Sequence, residues 1–147
     1  MKKKAKKPLF DPRCPGAKMI FYGALLLIVA GCINAYTSWI LAIGVLFKMA
    51  QTSDVFGYTF ALCAQVALAL LVAVDGINNR NRPSKARGVM IRAICVFAIA
   101  VVLLMQGDTT AGGNSTGIFV AAFSFAGSAL MVLGGFRNAK VLGKGKK

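Results

Sequence analysis

LIVAGCINAYTSW, residues 27–39, admits two readings that lead to two different proteins. Val29-Ala30-Gly31-Cys32 has the form of a bacterial lipobox, where a signal peptide is cut before a cysteine that then carries lipid. The lysine-rich start supplies the basic segment such a signal needs. The same residues also read as the middle of a membrane helix with a small residue at position 32. The residues after Cys32 decide between them. A lipoprotein cysteine is succeeded by a polar tether and a soluble domain. Here Ile33 follows at once, Trp39-Ile40-Leu41-Ala42-Ile43 resumes the apolar run, and further apolar blocks come after. The stretch belongs to a first membrane span.

Composition agrees with that choice. Of 147 residues, 57% are hydrophobic and 15% charged, yet the net charge is +14. The mean hydropathy of +0.68 is too high for an ordinary soluble domain of this size. Charge and apolarity coexist because the charges cluster and the apolar residues form blocks. Histidine is absent, which removes the commonest general base and metal ligand. The acidic residues Asp11, Asp54, Asp75 and Asp108 are far apart, and Cys14, Cys32, Cys63 and Cys95 form no CxxC pair. No nucleophile–base or metal constellation emerges, so neither an enzyme nor a cofactor is expected, and the cysteines read as small packing residues.

Four apolar blocks cover 19–47, 55–74, 89–105 and 117–136. A spanning helix needs about 20 apolar residues. The last three blocks fit, while the first is long enough either to tilt or to leave the hydrocarbon near Tyr36-Thr37-Ser38-Trp39 as an interfacial turn. The connections 48–54, 75–88 and 106–116 are too short to hold a folded domain, as are the tails 1–18 and 137–147. Every one of the 18 basic residues except Lys48 lies in the two tails, the middle connection or the first turn of the third block, where Arg92 stands. With four spans these regions share one side, and the positive-inside rule makes it the cytoplasmic one. The expected fold is an all-α, integral membrane four-helix transmembrane bundle with both termini cytoplasmic.

Between membrane helices the hydrophobic drive is weak, so close packing of small residues matters. Gly31 and Ala35 are one turn apart. Ala61, Gln65, Ala69 and Ala73 form a stripe along the second span, and Ala122 with Ala126 and Ser124 with Ser128 repeat the spacing in the fourth. These are read as helix seams within the chain; the same stripes would serve a second copy, so a homo-oligomer stays open. Asn34 and Gln65 are strongly polar residues well inside spans. They lie at similar depth, about 8 Å and about 13 Å below the outer boundary by rise per residue. An interhelical hydrogen bond between them is expected, worth about 0.6–2 kcal/mol. The alternative is a pair lining a pore, but no intramembrane charge accompanies them, as carriers usually require.

The basic regions point to lipid. Lys2, Lys3, Lys4, Lys6 and Lys7, with Arg80 and Arg82 in the middle connection, are candidate contacts for anionic lipid headgroups or an acidic partner, at about 1 kcal/mol per residue near the surface. Nucleic acid is an unlikely partner, because no aromatic residue interleaves the lysines to stack on bases. Cys14 lies beside the membrane between Arg13 and Lys18, a setting for reversible palmitoylation; the bland reading is an inert exposed thiol. The sequon Asn114-Ser115-Thr116 stands too close to the fourth span for ready glycosylation.

Val55-Phe56-Gly57-Tyr58 opens the second block, Asp75 closes it, and Arg87-Gly88, preceded by Ala86, opens the third. With the tiny loops, these features resemble the MARVEL-type tetraspans and, more narrowly, the COPI-associated Golgi vesicle proteins. The second family more often has Glu at the place of Asp75 and Gly at that of Ala86. The resemblance covers about the middle third of the chain. It implies a structural or vesicle-trafficking role in the secretory pathway, with coat or other membrane proteins as partners and no active-site residue to transfer. Two other classes remain open: a membrane-anchoring protein of a virion or similar assembly, whose basic tails bind capsid, nucleic acid or anionic lipid, and a small channel or carrier subunit.

Overall fold

The computed structural model describes residues 9–46, 53–107 and 115–144. These form four α-helices: α1 (Ala17–Leu46), α2 (Ser53–Asn79), α3 (Ala86–Gly107) and α4 (Ser115–Lys144), with a 3-10 turn at Pro83–Lys85 between α2 and α3. No strand occurs among the described residues. The helices pack in a ring, α1 against α2, α2 against α3, α3 against α4 and α4 back against α1.

The α1–α4 contact closes the ring and is the tightest. A Cβ on Gly16 would lie 1.8 Å from the carbonyl oxygen of Gly134, and one on Gly23 would lie 2.5 Å from that of Gly127. Seen from α4, a Cβ on Gly127 would meet the Gly23 oxygen at 2.8 Å and one on Gly134 the Gly16 oxygen at 2.7 Å. The pairing of low with high numbers makes the two helices antiparallel. On each side the paired glycines stand one heptad apart, Gly16 directly preceding α1 and the other three within their helices, the repeat that keeps a seam on one face of two long helices. Only hydrogen fits here, so backbone meets backbone.

The interior is built from small and medium side chains. Ile20, Ala24 and Leu27 of α1 meet Ala69, Val72 and Ala73 of α2, Val89, Ala93 and Val96 of α3, and Met131 of α4. Met131 fills the space left by glycine: a Cβ on Gly76 would lie 2.4 Å from its Cε and one on Gly23 2.8 Å from its Cγ. The large apolar side chains go the other way. Leu25 and Val29 of α1, Leu71 and Val74 of α2, Ile91, Ile94 and Phe97 of α3, and Ile118, Phe119 and Leu133 of α4 are exposed.

Two segments, Ala17–Tyr36 of α1 and Ile118–Val141 of α4, are long and apolar enough to cross a membrane, and Cys63–Asn79 of α2 is a shorter apolar helix. The choice left open for the first block is resolved in favour of continuity. α1 runs without a break through Tyr36 and Trp39 to Leu46, and both aromatic rings point outward, each 70% exposed. No proline interrupts this stretch, and Thr37 and Ser38 alone are too weak to stop a helix.

The helices also overrun the apolar blocks. α2 continues to Asn79, where the Asn79 side-chain amide donates to Asp75 Oδ1 at 2.8 Å, and α4 continues to Lys144, with the Lys140 ammonium 4.5 Å from the Phe136 ring centroid. Both contacts are one turn long and support a helix end that apolarity alone does not predict. Much of 137–147, expected as a tail, is therefore helix.

Gly134→Ala would set a methyl group 2.7 Å from the Gly16 oxygen and 2.9 Å from the Ile20 nitrogen, both backbone atoms that yield only if the helices part. The expected loss is about 1–3 kcal/mol. Gly88→Ala meets nothing within 4 Å, and helix propensity makes it neutral to about 1 kcal/mol stabilising. Denaturant titration in detergent separates the two; equal effects would contradict the seam.

Candidate functional site

Two polar features stand out against the apolar bundle. The first is a layer inside it. Asn34 of α1 and Gln65 of α2 are buried, and the Asn34 side-chain amide donates to Gln65 Oε1 at 2.5 Å. The Gln65 amide in turn donates to Ser124 Oγ of α4 at 3.2 Å. Three helices are thus tied at one level by uncharged groups. One turn along α4, the Ser128 hydroxyl is buried with no hydrogen-bond partner among the described residues. An unpaired hydroxyl in an apolar surround carries a desolvation cost.

The second feature is the basic end, where the N-terminal segment, the α2–α3 turn and the C-terminal half of α4 meet. Asn138 of α4 is fully buried and joins all three. Its side-chain oxygen accepts from the Gly16 N–H at 2.7 Å, and its amide donates to the Arg80 carbonyl at 3.0 Å. The first of these satisfies a donor at the start of α1 that the helix itself cannot. Arg80 Nε donates to the Leu9 carbonyl at 3.0 Å, its Nη1 to the Ile77 carbonyl, and its guanidinium lies 5.6 Å from the Phe21 ring centroid. Asn81 Nδ2 also reaches the Leu9 carbonyl at 3.2 Å, and the Asp11 N–H donates to Asn81 Oδ1 at 3.1 Å. On the α2–α3 side, Arg92 pairs with Asp75, which also receives Asn79.

Several sequence expectations change here. Arg80, expected as a headgroup contact, has its guanidinium directed at two backbone carbonyls and a ring, so it works as a clamp within the chain. Arg82 is exposed. Lys2, Lys3, Lys4, Lys6 and Lys7 lie outside the described residues. Cys14, expected as an exposed juxtamembrane thiol open to palmitoylation, is only 4% exposed. A turn puts it there: its N–H donates to the Asp11 carbonyl at 2.9 Å and its own carbonyl accepts from Ala17 N–H at 3.0 Å. Burial, and secondarily the Asp11 carboxylate, push its thiol up from the ordinary value, so little thiolate is present near neutral pH.

The packing stripes divide. Gly31 sits on the α1–α2 seam, where a Cβ would lie 3.2 Å from Leu70 Cδ2 and 3.9 Å from the Ala69 methyl. Ala69 and Ala73 are buried and Ala35 is half-buried. The side chain of Ala61 lies outside the described residues. In α4 the serine stripe, Ser124 and Ser128, faces the interior, whereas Ala122 and Ala126 are exposed and do not form an intramolecular seam. The glycine seam and Asn138 were not anticipated. Their signal is the run Gly127-Met131-Gly134-Asn138, spaced as one face of a heptad repeat.

No group of three or more His, Cys, Asp or Glu residues able to hold a metal occurs among the described residues. Comparison with known proteins finds no matching family model, no similar curated protein and no similar solved structure.

Gln65 makes both bonds of the polar layer and Asn34 one. Gln65→Leu is therefore expected to destabilise the bundle by about 1–2 kcal/mol and Asn34→Leu by less. The double variant is expected to cost less than the sum, because each single change strands the partner amide. A double-mutant cycle by denaturant titration checks this; strict additivity would show the bond contributes nothing.

Proposed function

We propose that the chain is a non-enzymatic, four-span membrane protein with both termini cytoplasmic, organising membrane or vesicle traffic in the secretory pathway. The observation that carries this reading is the inverted packing. Large apolar side chains point outward on all four helices, while Asn34, Gln65, Ser124, Ser128 and Asn138 are buried. A water-soluble bundle turns its large apolar side chains inward and its polar ones outward; here many large apolar side chains face outward, while the interior is built of small and medium apolar side chains with five uncharged polar ones among them.

The dimensions support it. α3, with 22 residues, is about 33 Å long, close to the ~30 Å hydrocarbon thickness. Cationic side chains gather at one end of the bundle, consistent with the positive-inside rule and with anionic headgroups as partners. The buried polar groups among the described residues are uncharged, which favours a packing role over ion or proton transport. The likeness to the COPI-associated Golgi vesicle proteins supplies the trafficking assignment and the Golgi as its place. A second reading, a small carrier, draws on the unpartnered Ser128 hydroxyl beside the polar layer; solute flux in liposomes that Gln65→Leu abolishes would establish it over the first.

A biotinylating enzyme fused after Lys147 tests both orientation and role. The expected products are cytosolic coat, tether or sorting proteins. Labelling confined to luminal proteins would overturn the orientation, and labelling confined to capsid proteins would overturn the trafficking role.

A further inference from the structure

Residues 9–16 cross the basic end of the bundle in turns rather than in a helix. What holds them is sparse and local. The Leu9 carbonyl is gripped by Arg80 Nε and Asn81 Nδ2, and the Asp11 N–H by Asn81 Oδ1. Phe10 stands edge-on to Phe21, with centroids 5.5 Å apart. The side chains of Leu9, Pro12, Arg13 and Pro15 are exposed, and neither proline can donate a hydrogen bond.

At the far end of the segment the situation reverses. Gly16 is wedged against the Gly134 carbonyl and its N–H is held by buried Asn138. The segment is thus fixed at Gly16 and lightly caught at Leu9–Asp11. Asn138 connects the two places, because it also holds the carbonyl of Arg80, the residue whose side chain forms the catch. Within the segment, between hinge and catch, Cys14 turns its thiol inward and is buried. A non-helical segment whose tethering hydrogen bonds are exposed or only part-buried opens at lower free energy than the helices it rests on.

We propose that residues 9–15 are a latch, hinged at Gly16 and caught by Arg80 and Asn81, which opens while the four helices stay packed and thereby exposes Cys14. In the closed latch the thiol is sealed from any reagent or modifying enzyme. In the open latch it is presented at the basic end of the bundle. Access to Cys14 is therefore set by the catch, which lies in the α2–α3 turn, remote in sequence from the thiol.

The test uses the full chain in bilayer nanodiscs with Cys32, Cys63 and Cys95 replaced by alanine. Maleimide labelling of Cys14 is expected to be slow, with Arg80→Ala accelerating it by about tenfold, the loss of one hydrogen bond at the catch, and Asn81→Ala, which removes two, by more, with helicity unchanged. Amide hydrogen exchange with the catch unaltered supplies the second measurement, independent of whether those variants fold. The Asp11 and Cys14 amides are expected to exchange well before that of Ala24. Labelling rates indifferent to the catch in folded variants, labelling that rises only with loss of helicity, or exchange at Asp11 and Cys14 as slow as at Ala24 would each overturn the latch.

Discussion

The bundle depends on backbone meeting backbone where α1 crosses α4. Gly16 just before α1 and Gly23 within it face Gly134 and Gly127 of α4 and leave no side chain between the backbones. In lipid, apolar side chains gain little by leaving one hydrocarbon surface for another, so intimate van der Waals contact must hold helices together. This contact joins the first helix to the last and so turns a chain of hairpins into a closed ring. It also fixes the axial register. Once Gly16 lies against Gly134, Asn138 stands over the start of α1, and Met131 enters the space left by Gly23 and Gly76.

Polar groups then occupy two levels of an otherwise apolar interior, each tying three parts of the chain. The Asn34–Gln65–Ser124 layer joins α1, α2 and α4. Asn138 joins the N-terminal segment, the α2–α3 turn and α4. Hydrogen bonds are directional where apolar packing is not, so these two levels specify which helix faces which. The ion pair of Asp75 with Arg92 lies outside both levels and is partly exposed, so screening makes its contribution small. The surfaces left by this packing are an apolar exterior on all four helices, a cationic end, and a segment folded across that end.

Much of this was legible in residue order, for identifiable reasons. Apolar blocks between charged turns located the four helices, and Pro83 marks the break before α3. Asn34 and Gln65 were recognisable as partners because uncharged polar groups of their size are conspicuous inside apolar runs. Helix ends were less legible. The apolar blocks end before the helices do: α2 and α4 continue beyond them on side-chain contacts such as Asn79 with Asp75. Spacing alone also failed to tell inside from outside in α4, where Ala122 and Ala126 repeat as regularly as Ser124 and Ser128 but face away. The glycine seam is hard to see in the sequence because its repeat is seven residues rather than four. Arg80, Cys14 and Asn138 lie in stretches that read as solvated tails or turns, and no local periodicity announces that a segment folds back onto the bundle.

The central claim is the inversion of the packing, and nitroxide accessibility in a reconstituted bilayer tests it most directly. Labels at Leu71, Ile94 and Leu133, on α2, α3 and α4, are predicted to collide freely with dissolved oxygen and rarely with a water-soluble nickel chelate. Labels at Ala73, Val96 and Ser124 are predicted to be shielded from both. Outward labels relaxed by the nickel chelate as strongly as a soluble surface, or inward labels as open to oxygen as outward ones, would contradict the account.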